Sequence, residues 1–115
     1  MAFVPKRGDI IHLTFDPASG KEMLGKHYGL VISDKIFNGS GLAMICPISQ
    51  GAVDNARSVG TIVTLMGSGT ETQGAVHCHQ LKSLDWRVRK AVFKETTPDF
   101  IMVEVAGKLE AILFD

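Results

Sequence analysis

The chain has 115 residues and balances 12 Lys and Arg against 12 Asp and Glu, so its formal net charge is zero. That length fits one domain, expected over residues 1–115, able to bury about two-thirds of its unfolded surface. Charge neutrality excludes a protein whose whole surface clings to polyanions, though it leaves room for a local basic groove.

The start, MAFVPKRGD, carries no apolar signal-peptide core, and no apolar run approaches the ~20 residues of a membrane span. A cytoplasmic chain with no membrane association is expected. Cys46 and Cys78 sit inside the apolar stretches LAMICPI and GAVHCHQL. They read as buried free thiols of a reducing compartment.

In chain order, residues 9–15 (DIIHLTF) alternate as a strand, with Ile11, Leu13 and Phe15 on one face and Ile10, His12 and Thr14 on the other. The strand breaks at Asp16-Pro17 into a long polar loop, residues 16–27 (DPASGKEMLGKH). Loops of that length in small domains often carry function. Residues 28–33 form a second strand. Residues 42–48 (LAMICPI) form a third, apolar throughout and therefore central and buried on both faces. A polar loop over 49–58 precedes a fourth strand over 59–66, a turn over 67–70, a fifth strand over 73–81 and a short sixth over 89–94. Thr97-Pro98-Asp99 opens a helix, with Thr97 as N-cap, Pro98 in the first turn and Asp99 at the positive end of the dipole. Phe100, Val103, Ala106, Leu109 and Leu113 would be its core face. Five or six short strands and one helix predict a mainly β fold with a C-terminal helix: a small, bent antiparallel barrel or sandwich.

Three groups of residues carry chemistry. His77-Cys78-His79 lies on the expected fifth strand, where His77 and His79 share a face and Cys78 turns inward. A metal site there would need further ligands such as Cys46 or His27, and no CxxC or HExxH spacing exists. Two imidazoles on one face could instead exchange protons near neutral pH, or be satisfied strand histidines. In the loop GKEMLGKH, Glu22 can take a proton, Lys21, Lys26 and His27 can meet a phosphate, and glycines let the backbone approach a ligand. It is no Walker loop. The basic run Lys82, Arg87, Arg89, Lys90 and Lys94 surrounds Trp86, the only tryptophan. Arginines beside an aromatic suit single-stranded nucleic acid, and equally a charged edge anchored to the core by its indole. No nucleotide-cofactor turn or nucleophile elbow is present, and no metal or organic cofactor is expected.

Read together, the ordered pieces resemble a family. They are Pro5-x-x-Gly8-Asp9-Ile10, Phe15-Asp16-Pro17, Gly20-x-Glu22-x-x-Gly25, Leu30-Val31-Ile32-Ser33, Pro47-Ile48-Ser49 and, most specific, the stretch QLKSLDWR at residues 80–87. Over nearly its whole length the chain is similar to the MazF/PemK toxins of bacterial type II toxin–antitoxin pairs, also called Kid-like. The resemblance implies an SH3-like antiparallel β-barrel that forms a homodimer. It implies a metal-independent endoribonuclease, an mRNA interferase, that cuts single-stranded RNA at a short sequence. The cut proceeds by attack of the ribose 2′-OH and leaves a 2′,3′-cyclic phosphate. A cognate antitoxin with an acidic disordered tail would lie over the active groove.

Carried over position by position, the family's G-x-R-P arginine is His27 here, followed by Tyr28 in place of the proline. Ser49 matches the Ser or Thr after the third-strand proline, and Glu22 the loop glutamate. His79 stands where an aspartate is common, and His77 where some relatives carry a catalytic arginine. The implied catalytic set is thus His27, Ser49, His79, His77 and Glu22, with Glu22 orienting His27. Lys21, Lys26, Gln80, Lys82 and Arg87 would hold the RNA. The same fold also hosts a gyrase poison, so a non-catalytic binding module, gyrase-directed or titrating antitoxin, is the alternative.

Overall fold

The computed structural model describes residues 3–22, 24–50 and 60–115. Seven strands form one antiparallel sheet: β1 (Asp9–Thr14), β2 (Lys26–Val31), β3 (Leu42–Ser49), β4 (Ile62–Thr64), β5 (Ala75–His77), β6 (Lys82–Asp85) and β7 (Val92–Thr96). The order is β4-β5-β3-β2-β1-β7. The long central β3 has two partners on one side: its first half pairs with β6 and its last residues with β5. The sheet curls like a barrel without closing. On the open side Glu95 of β7 bridges to the turn before β5, accepting from Thr72 Oγ1 at 2.6 Å, Thr72 N at 2.8 Å and Glu71 N at 3.1 Å.

β1 alternates as its sequence dictates and buries both faces. Ile11, Leu13 and Phe15 join Val31, Ala43, Ile45, Leu84 and Trp86 in one cluster. Ile10 joins Leu30, Cys46, Ile48, Val76 and Cys78 in another. Gly29 permits the close packing of the first: a Cβ there would lie 2.6 Å from Ile45 Cγ2 and 3.1 Å from Phe15 Cζ. The terminal helix α2 (Asp99–Phe114) covers the second cluster.

Four expectations need correction. β3 is buried on both faces only in its second half, because Leu42 and Met44 project beyond the sheet's covered area and are exposed. The stretch 73–81 is not one strand. β5 ends at His77, a single 3-10 turn (Cys78–Gln80) bends the chain, and β6 follows. Residues 86–90 make a tight turn, so the last strand begins at Val92, not at residue 89.

The helix, finally, begins one residue late, with Pro98 as N-cap, and turns Ile101, Val105 and Leu109 to the core. Phe100, Val103 and Leu113 are exposed. The helix is apolar on two stripes, and spacing alone cannot say which the sheet selects. Each buried Ile, Val or Leu there contributes roughly 1.5–3 kcal/mol of burial free energy.

A short helix, α1 (Lys35–Asn38), was not foreseen. Asp34 caps it by accepting from Phe37 N at 2.8 Å. The loop expected over 49–58 lies outside the described residues apart from Ser49 and Gln50, as does residue 59 of the expected fourth strand. Among the described residues no helix is long and apolar enough to cross a membrane.

Candidate active site

β2 starts two residues earlier than its sequence suggests, so His27 is a strand residue opposite Leu13 and not a loop residue. Tyr28 pairs with Ile48 on β3, and one further step in that register sets His27 level with Ser49. Directly paired residues point to the same side of a sheet. His27 and Ser49 therefore share a face, with the Phe15 ring 6.5 Å from that of His27.

Ser49 pairs with Ala75 on its other side, and His77 follows two residues along the same strand face. Its Nε2 lies 2.7 Å from Ser49 Oγ. Gly74 makes this juncture possible. It has φ +106°, and a Cβ there would run into the Ser49 carbonyl.

His77 is 7% exposed, and its Nδ1 is buried without a hydrogen-bond partner among the described residues. Burial, and secondarily the neighbouring His79, pushes its pKa below the ordinary imidazole value. His77 is thus neutral at pH 7. A neutral ring whose Nε2–H donates to Ser49 leaves only a lone pair at the buried Nδ1 and frees the hydroxyl hydrogen to point outward.

His79 lies in the 3-10 turn rather than on a strand, yet its ring centroid is 5.3 Å from that of His77. It is exposed where His77 is buried. Cys78 between them is in the core, as is Cys46, and both are free thiols. Among the described residues no three His, Cys, Asp or Glu side chains stand where they could share an ion.

Glu22 reaches a different partner than expected. Its Oε1 accepts from Ser19 N at 2.8 Å and lies 3.2 Å from Lys82 Nζ, so it pairs with Lys82 and not with His27. The Ser19 N–H, then Lys82, hold its carboxyl below the usual range. Lys82 opposes Ile45 on β3, four residues before Ser49 and on the same face. At about 3.3 Å per residue this sets Lys82 roughly 13 Å from the histidine cluster along the strand. Lys21 and Lys26 are exposed at the near end of the β1–β2 loop, and Gln80 closes the 3-10 turn beside His79.

Arg87 is not brought to this group. β6 ends opposite Leu42, at the far end of β3 from Ser49. There Arg87 stacks 4.3 Å above the Trp86 ring. Arg89 turns elsewhere, donating from Nη1 to the carbonyls of Thr14 at 3.1 Å and Asp16 at 2.6 Å. The two arginines do not share a side because their segment is a turn. Trp86 is buried, its Nε1 donating to Asn38 O at 2.8 Å, so it is a core anchor and not a stacking surface. The anchoring role of Arg89 was missed. Its only signal in the sequence was the Asp16-Pro17 break, where the chain leaves the strand and its carbonyls need other donors.

A neutral imidazole braced on a hydroxyl, a second imidazole open to solvent, a third on the neighbouring strand and a lysine on the same face together offer a proton acceptor, a proton donor and positive charge. That set suits an oxyanion substrate that must exchange protons at neutral pH.

The model of the PemK-like, MazF-like toxins of type II toxin–antitoxin systems matches residues 6–113. The chain is 35% identical over 109 residues to endoribonuclease PemK of Escherichia coli, covering 94% of this chain and 81% of that one. It is 34% identical over 109 residues to endoribonuclease toxin ChpB of Escherichia coli strain K12, covering 94% and 93%. Its fold superposes on MazF from Deinococcus radiodurans with a TM-score of 0.88 at 34% identity, covering 97% and 98% of the two chains. A MazE–MazF structure from the same organism gives a TM-score of 0.81 at 33% identity, covering 96% and 97%.

Proposed function

The chain belongs to the PemK-like, MazF-like toxin family of type II toxin–antitoxin systems, and from that premise we propose that it is a metal-independent endoribonuclease of single-stranded RNA. The ribose 2′-OH attacks the adjacent phosphate, the 5′-oxygen leaves with a proton, and the product end is a 2′,3′-cyclic phosphate. The observation that carries this reading is the contact of His77 Nε2 with Ser49 Oγ at 2.7 Å, with the His79 ring 5.3 Å behind it.

The roles follow from burial. His77 cannot meet bulk solvent, so it serves as a positioning residue: it donates to Ser49 and aims the Ser49 hydroxyl at a non-bridging phosphate oxygen. His79, exposed beside it, carries the proton to or from the reacting oxygens. His27, level with Ser49 across β3, takes the complementary proton or charges the phosphorane. Lys82, buttressed by Glu22, holds a phosphate further along the same face, with Lys21 and Gln80 along the rim, whereas Lys26, one residue before His27, points to the other side of the sheet. Arg87 has no part in this set.

The partner is a cognate antitoxin, a reading supported by the similar MazE–MazF structures, and an acidic tail would compete with RNA for the same charges. The exposed Phe100, Val103 and Leu113 of α2 support association with a second copy as a homodimer.

The test is incubation of the purified protein with a long unstructured RNA in EDTA at pH 7, with product ends mapped. Defined cuts ending in 2′,3′-cyclic or 3′-phosphate are expected. Intact RNA from a folded dimer would overturn the reading and move attention to gyrase inhibition or antitoxin titration on the same fold.

A further inference from the structure

His12, Thr14 and Lys26 alternate with Leu13 and His27 along the paired β1 and β2, so they face away from the side that carries His27. On that opposite face a cavity of about 440 Å³ opens between the β1–β2 hairpin, the turn after β6 and β7. That volume is within the range of small-ligand sites. Among the described residues its walls carry Lys26, Arg89 and Lys90 together with His12, and no Asp or Glu. In a chain of zero net charge, three permanent cations around one hollow make a local positive field. Among the described residues neither Lys26 nor Lys90 has a carboxylate within salt-bridge reach. Arg89 is held rigid by the Thr14 and Asp16 carbonyls, so its charge is fixed at the wall. The apolar floor is Val88 and Val92, exposed by 76% and 62%. Fixed positive charge over exposed valines matches a phosphate attached to a flat, partly apolar group.

We propose that this cavity is an accessory subsite for one flanking nucleotide of the RNA, its phosphate held by Lys26 and Lys90 and its base laid on Val88 and Val92. The proposal rests on the ribonuclease reading above and deepens it. Lys26 precedes His27 in the chain and faces the other way, so RNA leaving the catalytic face passes over the start of β2 into the cavity. Affinity thus grows with substrate length, through a site that does not touch the scissile phosphate.

The test uses Lys90→Asn. Lys90 has φ 55°, a conformation Asn tolerates best among residues with side chains, so the turn survives while the charge is lost. Two RNAs sharing one cut site are compared, one minimal and one extended by several nucleotides on both sides. In parallel, binding of the extended oligonucleotide with a 2′-deoxy cut site is titrated against salt. The variant is expected to raise KM and Kd for the extended RNA by about 2- to 5-fold and to lower its salt slope by about one. Its kcat, and its KM for the minimal RNA, stay at wild-type values. Equal effects on both RNAs, or none, overturn the subsite while the ribonuclease stands. A wild type that binds but does not cut, with binding weakened in the variant, keeps the subsite and removes the ribonuclease. A wild type that neither cuts nor binds removes both. Unchanged RNA affinity with weakened binding of a poly-glutamate peptide overturns the proposal in favour of an acidic peptide.

Discussion

Gly74 lies against Ser49 so closely that a single methyl group on Gly74 would overlap the Ser49 carbonyl oxygen. The glycine also holds φ +106°, which an L side chain rarely adopts. Gly74→Ala is therefore expected to cost about 1–3 kcal/mol of stability. It should also displace Ser49 from His77, so thermal melting and cleavage rate should fall together. A variant with wild-type melting and wild-type rate would refute the close approach.

His79 and His77 should fail differently. His79→Ala is expected to cut kcat roughly 10²- to 10⁴-fold, as for loss of a proton carrier. His77→Ala and Ser49→Ala should each lose less, and the double variant little more than either, because both remove one unit. Steady-state kinetics of the four proteins decides this, and additive losses would separate His77 from Ser49.

His77 also makes stability depend on pH. Its folded pKa is below the ordinary 6.5 because it is buried. Below that pH the unfolded chain takes up a proton that the folded chain refuses. Stability should be undiminished above about pH 6.5 and fall as pH drops from there through the folded pKa. Urea unfolding across that window should slope downward in the wild type and less steeply in His77→Asn. Identical slopes would mean that the ring is not buried neutral.

Glu95 acts in the same direction, but at lower pH and because its charged form is stabilised. Burial tends to raise its pKa, but the Thr72 hydroxyl and the Thr72 and Glu71 N–H groups outweigh this and hold it below the ordinary 4.5. Its contribution is present above that value and is lost as pH falls through the folded pKa. Glu95→Gln should cost about 1–2 kcal/mol at pH 7, given the partial exposure of the site. Wild type and variant should converge in acid. A gap that persists at low pH would assign the effect to packing.

Much of this arrangement is legible in the chain. The alternation of residues 9–15 specifies both clusters that β1 buries. The resemblance carried by Pro47-Ile48-Ser49 and QLKSLDWR leads to the family and to its curled sheet. What escaped is where local pattern and tertiary demand part. HCHQL reads as extended, yet Cys78 N bonds to Thr61 O and Leu81 N to Cys78 O, closing a turn that periodicity does not signal. The helix is apolar on two stripes, and only the sheet beneath selects Ile101, Val105 and Leu109. Charge type marks Lys82 and Glu22 as candidates for work on anions or protons. Which of them meet depends on how the β1–β2 loop folds back over β6.

The lone indole has an optical consequence. Trp86 is buried at the far end of β3 from Ser49, with the Arg87 guanidinium over its ring and Ala91 N bonded to its carbonyl. Its emission should be that of a shielded chromophore, changing with global unfolding. A ligand confined to the histidine face sits too far along the strand to perturb it. Occupation of the hollow beside Arg89 and Lys90 tugs on the very turn that begins with Trp86, so a shift in fluorescence on adding oligonucleotide would distinguish the two faces in a cuvette.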